Sequence, residues 1–414
     1  MANSFLTTDL LLKESLLHLD NALVMSKLCN RDYEAEFANG SGRGGKAGDT
    51  IRIRRPVRFT VRSGATYSAQ DITEGRFAVT AATQEGVDME MTSADMTLKI
   101  EEVGDRYLKP AMIQLANSID RSVHSKLYKK TWNWVGTPGQ TINSFADYAK
   151  GPERLDVTAA PTDQRNGILS PADHWGMLGS ISGLYISDKA RTALEKAKLG
   201  MIGGTDTYMS QNVASHTVGA LGGTPLVNGA SQVVTYANSA TTNTQTLNID
   251  GATVSITGWA KEGDVFTIAN VYAVNWITKQ TLPHLQQFVV RADANSDGSG
   301  LVALTIMPAI IVSGAYQTVN STPADNAAIT WVGTAATAYP QNLVFHPNAV
   351  TLACVPLEMP VGNVEASMDS YKGMSMRLVR QYDISADVNK YRFDVLFGSE
   401  ALQPELATRF SGTA

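Results

Sequence analysis

Four stretches of the chain have residue types and spacing suited to chemistry. The first is "ADANSDGSG", residues 292–300, where Asp293, Asn295, Asp297 and Gly298 occupy positions 1, 3, 5 and 6 of a calcium-loop signature. Such a loop needs a bidentate Glu at position 12, and that position is Leu304. The flanks, "FVVRA" and "LVALTIM", alternate as strands rather than helices. Asp, Asn and Gly are also what tight turns select, so the stretch reads as a hairpin turn with at most weak affinity for a cation.

The second, "GSGRGGKA", has phosphate-loop spacing from Gly40 to Lys46. Ala47 stands where a Ser or Thr would hold magnesium, and an arginine-rich strand follows instead of a helix, so it reads as a flexible loop. The third set is the histidines His18, His124, His174, His216, His284 and His346, which are scattered without a close pair and predict no shared metal site. No serine sits in a nucleophile elbow. The sequence therefore assigns no catalytic residue, no metal and no cofactor.

The fourth is "TIRIRRPVRFTVR", in which Ile51, Ile53, Val57, Phe59 and Val61 alternate with Arg52, Arg54, Arg58 and Arg62. It lacks the series of aromatic side chains on which successive bases stack, so it reads as a solvated or partner-facing strand. Pro56 restricts it to a sheet edge or a bulge. A second alternating run sets Val87, Met89 and Met91 against Asp88 and Glu90. The two runs are expected to pair as an antiparallel ladder with arginines facing carboxylates.

Around these stretches, 414 residues suggest about two or three domains. Hydrophobic residues at 43% and charged residues at 18% are enough to build cores. A net charge of −5 argues against a chain whose main task is gripping nucleic-acid phosphates. Two isolated cysteines, Cys29 and Cys354, exclude a disulfide scaffold and fit a reducing compartment. The first residues lack a basic region before their apolar ones, so no secretory signal is expected, and no apolar run is long enough to predict a membrane helix.

Leu12, Leu16, Leu19 and Leu23 predict an amphipathic helix over 8–28. A longer helix is predicted over 103–131, with Ala111, Leu115, Ile119 and Val123 or Leu127 as its stripe and Pro110 in a first turn or a kink. Its last turn carries Lys126, Lys129 and Lys130. Ser170, Pro171 and Asp173 mark the cap and first turn of another helix, and a further helix is predicted over 187–200 with Gly200 as its stop. From about 224 to 349 short Val/Thr/Ile runs alternate with turn signals, which predicts an all-β barrel or sandwich inserted into a mixed α/β chain. The end reads as two strands about an Asp-rich turn, with Tyr391, Phe393, Val395 and Phe397 on one face.

This order of elements, with "GDVFTIANVYAVNWITKQ" (263–280), "VRADANSDGSG" (290–300) and "KYRFDVLFGSEALQPELATRF" (390–410), resembles the major capsid proteins of tailed bacteriophages with the Hong Kong 97 fold. Within that group it is most similar to the coat proteins of short-tailed Salmonella- and Shigella-type phages, which carry an inserted domain. The resemblance implies an α+β fold divided into an N-terminal arm (1–35), an extended loop hairpin (36–95) and a peripheral domain with a spine helix (96–150). An axial domain (151–223), an inserted β-barrel (224–349) and a closing segment (350–414) would follow. It implies a structural role in the virion, assembled in the host cytoplasm as hexamers and pentamers of an icosahedral procapsid. The implied partners are a scaffolding protein, a portal protein, packaged double-stranded DNA held without sequence preference and, as an optional partner, a decoration protein, with no membrane. No motif carries over the Lys–Asn cross-link of some relatives. On this reading Arg52, Arg54, Arg58, Arg62, Asp88 and Glu90 are the candidate inter-subunit contacts. The alternatives are an encapsulin-type compartment shell, or a β-rich adhesin or carbohydrate-binding protein.

Overall fold

The computed structural model describes residues 8–34, 37, 50–67, 69–70, 72–92, 104–181, 199–362 and 364–413. The glycine-rich segment 40–49 and residues 187–198 of the helix expected over 187–200 lie outside them, while Gly200, expected to stop that helix, begins a strand. The chain divides into two compact units, the first formed by Met1–Arg52, Ala78–His124 and Val350–Glu400, and the second by Ile53–Phe77, Ser125–Ala349 and Ala401–Ala414.

In the first unit, α1 (Thr8–Ala22) buries Leu12, Leu16 and Leu19 and exposes Lys13, as its spacing predicts. It packs on β18 (Glu365–Tyr371) and β19 (Met374–Asp383), and Thr8 Oγ1 donates to Glu365 Oε1 at 3.2 Å. The helix stops at Ala22 rather than running to 28, because a carboxylate takes over the next backbone donors. Asp120, fully buried, accepts from Val24 N at 2.7 Å, Ser26 N at 2.9 Å and Ser26 Oγ at 2.6 Å. Asp120 belongs to α2 (Lys109–Tyr128), which a π-turn (Gly104–Leu108) precedes and which carries Pro110 in its first turn. Met112, Leu115, Ala116, Ile119 and Val123 make the buried face of α2.

The sheet of this unit runs β17 (Val350–Val355), β20 (Val388–Ala401), β19, β18, with β3 (Thr83–Thr92) also on β20. Here the expected ladder is corrected. β1 (Thr50–Arg54) pairs with β2 (Arg76–Thr80), not with β3. Pro56, with no N–H to donate, keeps the arginine run from continuing as a strand beyond Arg54. β3 instead matches β20 over its whole length, with Asp88 opposite Arg392 and Glu90 opposite Lys390. The carboxylates face cations, but those of the closing hairpin.

In the second unit a mixed sheet is ordered β4 (Trp134–Val135), β21 (Ala407–Phe410), β16 (Asn342–Phe345), β5 (Arg165–Leu169), β7 (Thr205–Met209), β6 (Gly200–Ile202). Two helices pack on it, α3 (Phe145–Val157) on β21 and α4 (Pro171–Ile181) on β5. Ser170 Oγ accepts from Asp173 N at 3.3 Å, the cap that the sequence predicts. A second sheet is ordered β14 (Ile329–Val332), β11 (Val265–Val274), β12 (Thr281–Val290), β13 (Val302–Met307), β10 (Gln245–Ala252), β9 (Gly223–Val227). A bridge from Leu226 to Ala328 joins its two edges into a barrel around Trp259, Phe266, Phe288 and Leu304. β8 (Ser215–Thr217) and β15 (Ala338–Pro340) pair as the two chain segments entering and leaving the barrel. The barrel strands therefore end at Val332, and residues 342–345 belong to the mixed sheet.

Because Asp120 holds three buried donors, Asp120→Ala is expected to destabilise the chain by about 2–4 kcal/mol in urea unfolding. Ser26→Ala, which removes one of those bonds, should cost only about 1 kcal/mol.

Candidate assembly surface

Among the described residues no group of three or more His, Cys, Asp or Glu is placed to hold a metal, and no helix is long and apolar enough to cross a membrane. The acceptors of the calcium-like stretch are taken up by backbone. Asp293 Oδ1 accepts from Glu262 N at 2.8 Å and Asn295 Oδ1 from Gly258 N at 2.7 Å. Asp297 Oδ1 accepts from Ser299 N and Leu301 N, each at 2.8 Å. The stretch connects the adjacent antiparallel strands β12 and β13 and is laced onto residues 255–262, so its polar side chains fasten a loop rather than converge on an ion. Cys29 and Cys354 are buried, and burial pushes the Cys354 thiol up to about 11, which makes it inert at neutral pH.

The six candidate contact residues fall into different settings. Asp88 and Glu90 stay on the exposed face of β3. Arg392 Nε and a terminal guanidinium nitrogen each reach an Asp88 carboxylate oxygen at 2.9 Å, and this fork holds the Asp88 carboxyl below its usual range. Lys390 lies 4.0 Å from Glu90 and 3.0 Å from Asp383. Arg52 is exposed and Arg54 reaches Glu74 at 3.1 Å. Arg58 turns inward, 3.1 Å from Glu405 and over the Trp276 ring at 4.6 Å. Arg62 is exposed and donates to Thr66 O at 3.2 Å and to Gly64 O within its own loop.

Sequence reasoning missed what surrounds these arginines. One hydroxyl ties the two sides of the loop root together, for Tyr316 Oη accepts from Arg58 N at 3.2 Å and donates to Thr73 O at 3.0 Å. Its ring stacks on Tyr236 at 3.4 Å. Beyond this clasp Phe59, Val61, Tyr67 and Ile72 expose 58%, 100%, 84% and 66% of their surface. No local signal tells which tyrosine of the barrel will meet a loop more than two hundred residues earlier in the chain.

The second missed group is Arg409, fully buried on β21. It donates to Thr131 O at 2.9 Å, Gly263 O at 2.8 Å and Gln341 Oε1 at 3.2 Å, and it lies over the rings of Tyr128 and Trp134. Burial pulls its pKa down to about 9, still cationic at neutral pH. Beside it Asp264 accepts from Gly219 N at 3.0 Å and Lys261 N at 2.8 Å and pairs with His216 Nε2 at 2.7 Å. Gln287 of the barrel extends the joint, accepting from Trp134 N at 2.7 Å and donating to Trp134 O at 2.8 Å. None of these groups forms a nucleophile–base pair; they fix a barrel to a sheet.

Comparison with known proteins follows from this geometry. The family model described as P22 coat protein, gene protein 5, matches residues 1–412. The chain is 26% identical over 423 residues to the major capsid protein of Acyrthosiphon pisum secondary endosymbiont phage 1, covering 98% of this chain and 97% of that one. Among solved structures it is similar to one from Mycobacterium phage Che8, with 12% identity, a TM-score of 0.48 and coverage of 94% and 90% of the two chains. It is also similar to the CUS-3 coat protein I-domain, with 27% identity and a TM-score of 0.20 over 27% of this chain and 98% of that one.

The barrel strand β12 carries an acid-sensitive group. Burial, with Arg154 nearby, pushes His284 down to about 4, whereas an unfolded histidine titrates at about 6.5. Between those values the unfolded chain binds more protons, so stability falls as pH drops from about 6.5 to 4. With the ring partly exposed, the loss is on the order of 1 kcal/mol. Urea midpoints at pH 7 and pH 5 should show it, and His284→Gln should shrink the difference.

Proposed function

The chain belongs to the P22 coat protein family, and from that membership we infer that it is the major capsid subunit of a bacteriophage, a structural protein of the virion and not an enzyme. The observation that carries this is the family match over residues 1–412, nearly the whole chain. The fold is α+β, with elements in the order that the Hong Kong 97-type resemblance implies: leading helix, charged strands, long helix, mixed sheet, barrel and closing hairpin. Such a subunit assembles with copies of itself. The finer picture is hexamers and pentamers in an icosahedral procapsid, built with a scaffolding protein around a portal and filled with double-stranded DNA. A net charge of −5 suits a wall that must not trap its cargo.

On this reading α1 is part of the N-terminal arm and α2 the spine helix. The mixed sheet with α3 and α4 serves as the axial domain, and the six-stranded barrel between Gly223 and Val332 is the inserted domain. The arginine-rich loop is the extended contact arm. Its candidate contacts are Arg52, Arg54 and Arg62 together with the exposed Phe59, Val61, Tyr67 and Ile72. Asp88 and Glu90, already facing Arg392 and Lys390, contribute to register within the subunit first.

Expressed with its scaffold, the chain should form closed shells tens of nanometres across by negative-stain microscopy; only small soluble species would overturn the reading. Val61→Asp with Tyr67→Asp should abolish shells while moving the urea midpoint by no more than about 0.5 kcal/mol equivalent, as exposed substitutions do. Equal loss of both would remove the contact role from the loop.

A further inference from the structure

We propose that the cavity in the second unit, walled by the root of the arginine-rich loop, binds a small molecule with a flat apolar body and one anionic head such as a carboxylate. Every residue that lines it belongs to that unit. Its volume is about 250 Å³. An apolar cavity of roughly 150 Å³ takes a benzene ring, so this one has room for two fused rings. Phe77, Trp132, Val274, Trp276, Leu282 and Ile311 supply apolar wall. Flat aromatic walls favour a flat guest.

The charge of the lining sets the head group. Arg55 and Arg58 both line the cavity, and the one carboxylate in the lining, Glu405, lies 3.1 Å from Arg58. His284, also in the lining, is held neutral at pH 7. The wall thus carries one more positive than negative charge. The guanidinium of Arg55 sits over Phe77 at 3.8 Å and its Nε is buried without a hydrogen-bond partner; burial works against its charge more than the nearby Glu405 and Tyr236 support it. Asn133, 5% exposed and in the same wall, has a side-chain nitrogen likewise without a partner. Buried cations are ordinarily paired, and buried donors ordinarily find acceptors. Since Arg55 and Arg58 share the single carboxylate Glu405, an anionic head beside Arg55 would balance the remaining positive charge and accept from Nε while the rings fill the apolar part. Because Arg55, Pro56, Val57 and Arg58 are at once cavity wall and loop root, an occupant would stiffen the arm at its base.

The test uses the full unassembled chain and two probes of equal shape, 2-naphthoate and the neutral 2-naphthalenemethanol. Tryptophan fluorescence reports binding, since Trp132 and Trp276 line the cavity, and melting temperature provides a second readout. The acid should bind saturably at one site per chain, raise the melting temperature and bind at least about tenfold more tightly than the alcohol. Arg55→Gln should erase the preference for the acid, and Ala273→Phe, which fills the cavity, should abolish binding of both. No saturable binding, equal affinity for acid and alcohol, or a preference that survives Arg55→Gln would overturn the proposal. If Arg55→Gln does not fold, Ala273→Phe decides alone: unchanged binding of the acid overturns it. The readout does not involve assembly, so failure here leaves the coat-subunit reading standing.

Discussion

The second unit depends on one buried cation. Arg409 has lost its water, and removing a guanidinium from water without compensation costs several kcal/mol. The compensation comes from three oxygens and two ring faces, contributed by the turn after α2, the entry to β11, the linker before β16 and the short strand β4. The turn after α2 and β4 are neighbours in sequence, but the entry to β11, the linker before β16 and Arg409 itself lie far from them and from one another. One terminal nitrogen of the guanidinium stays buried without a partner, while its Nε and other terminal nitrogen find their acceptors only when barrel, mixed sheet and helix end are all in place around the last strand. That makes it a test of complete folding as much as a source of stability, because it cannot form until nearly the whole chain is present. Around it Trp132, Trp134, Val218, Val265, Val289, Met307 and Tyr339 form an apolar cluster, so the barrel is seated on the sheet by packing as well as polar bonds.

Seating the barrel has a consequence for the arm. Tyr316 leaves the barrel after β13 and clamps both sides of the loop root, and Glu405, close to Arg409 in sequence, takes Arg58. The residues that hold the loop are therefore carried by the same assembly that Arg409 holds together. A loop with Val61 fully exposed could point anywhere if it swung freely; one clamped at its base has its direction set before it meets a partner.

What the sequence revealed follows from the range of each interaction. The stripe of α1, the buried face of α2, the Ser170 cap and the alternation of β3 and β20 are local patterns and were legible. α3 was not, since Gly151 and Pro152 interrupt its period, yet the helix forms because Ser144 caps it and Tyr148 and Leu155 bury against the sheet. The pairing of β3 was misread because alternation says what a strand presents, not which basic strand will answer. Two basic runs were available, and the one broken by Pro56 lost to the longer, continuous one. The calcium-like stretch misleads by the same logic: Asp and Asn oxygens suit a cation and a backbone N–H equally, and only the neighbouring 255–262 segment decides between them. Tyr316 and Arg409 gave no local sign at all, because their partners lie far along the chain.

That correction changes which part of the candidate surface can be adhesive. A carboxylate already forked by Arg392 must give up those bonds before it can bind another copy, so Asp88 offers little to a neighbour. Surface ion pairs are in any case worth only about 0–1 kcal/mol. The four exposed side chains of the loop are different, since covering the fully exposed Val61 contributes about 1.5–3 kcal/mol and the part-buried Phe59 and Ile72 proportionately less. Phe59, Val61 and Ile72 have no polar side-chain group to desolvate when covered, and the clasp has already reduced the entropy of ordering them. A shell needs contacts weak enough singly to be corrected during growth and strong when repeated on every subunit. On the proposed reading, a short apolar patch on a clamped arm would meet both demands, with the arginines beside it steering approach and the hydrophobic surface holding what arrives.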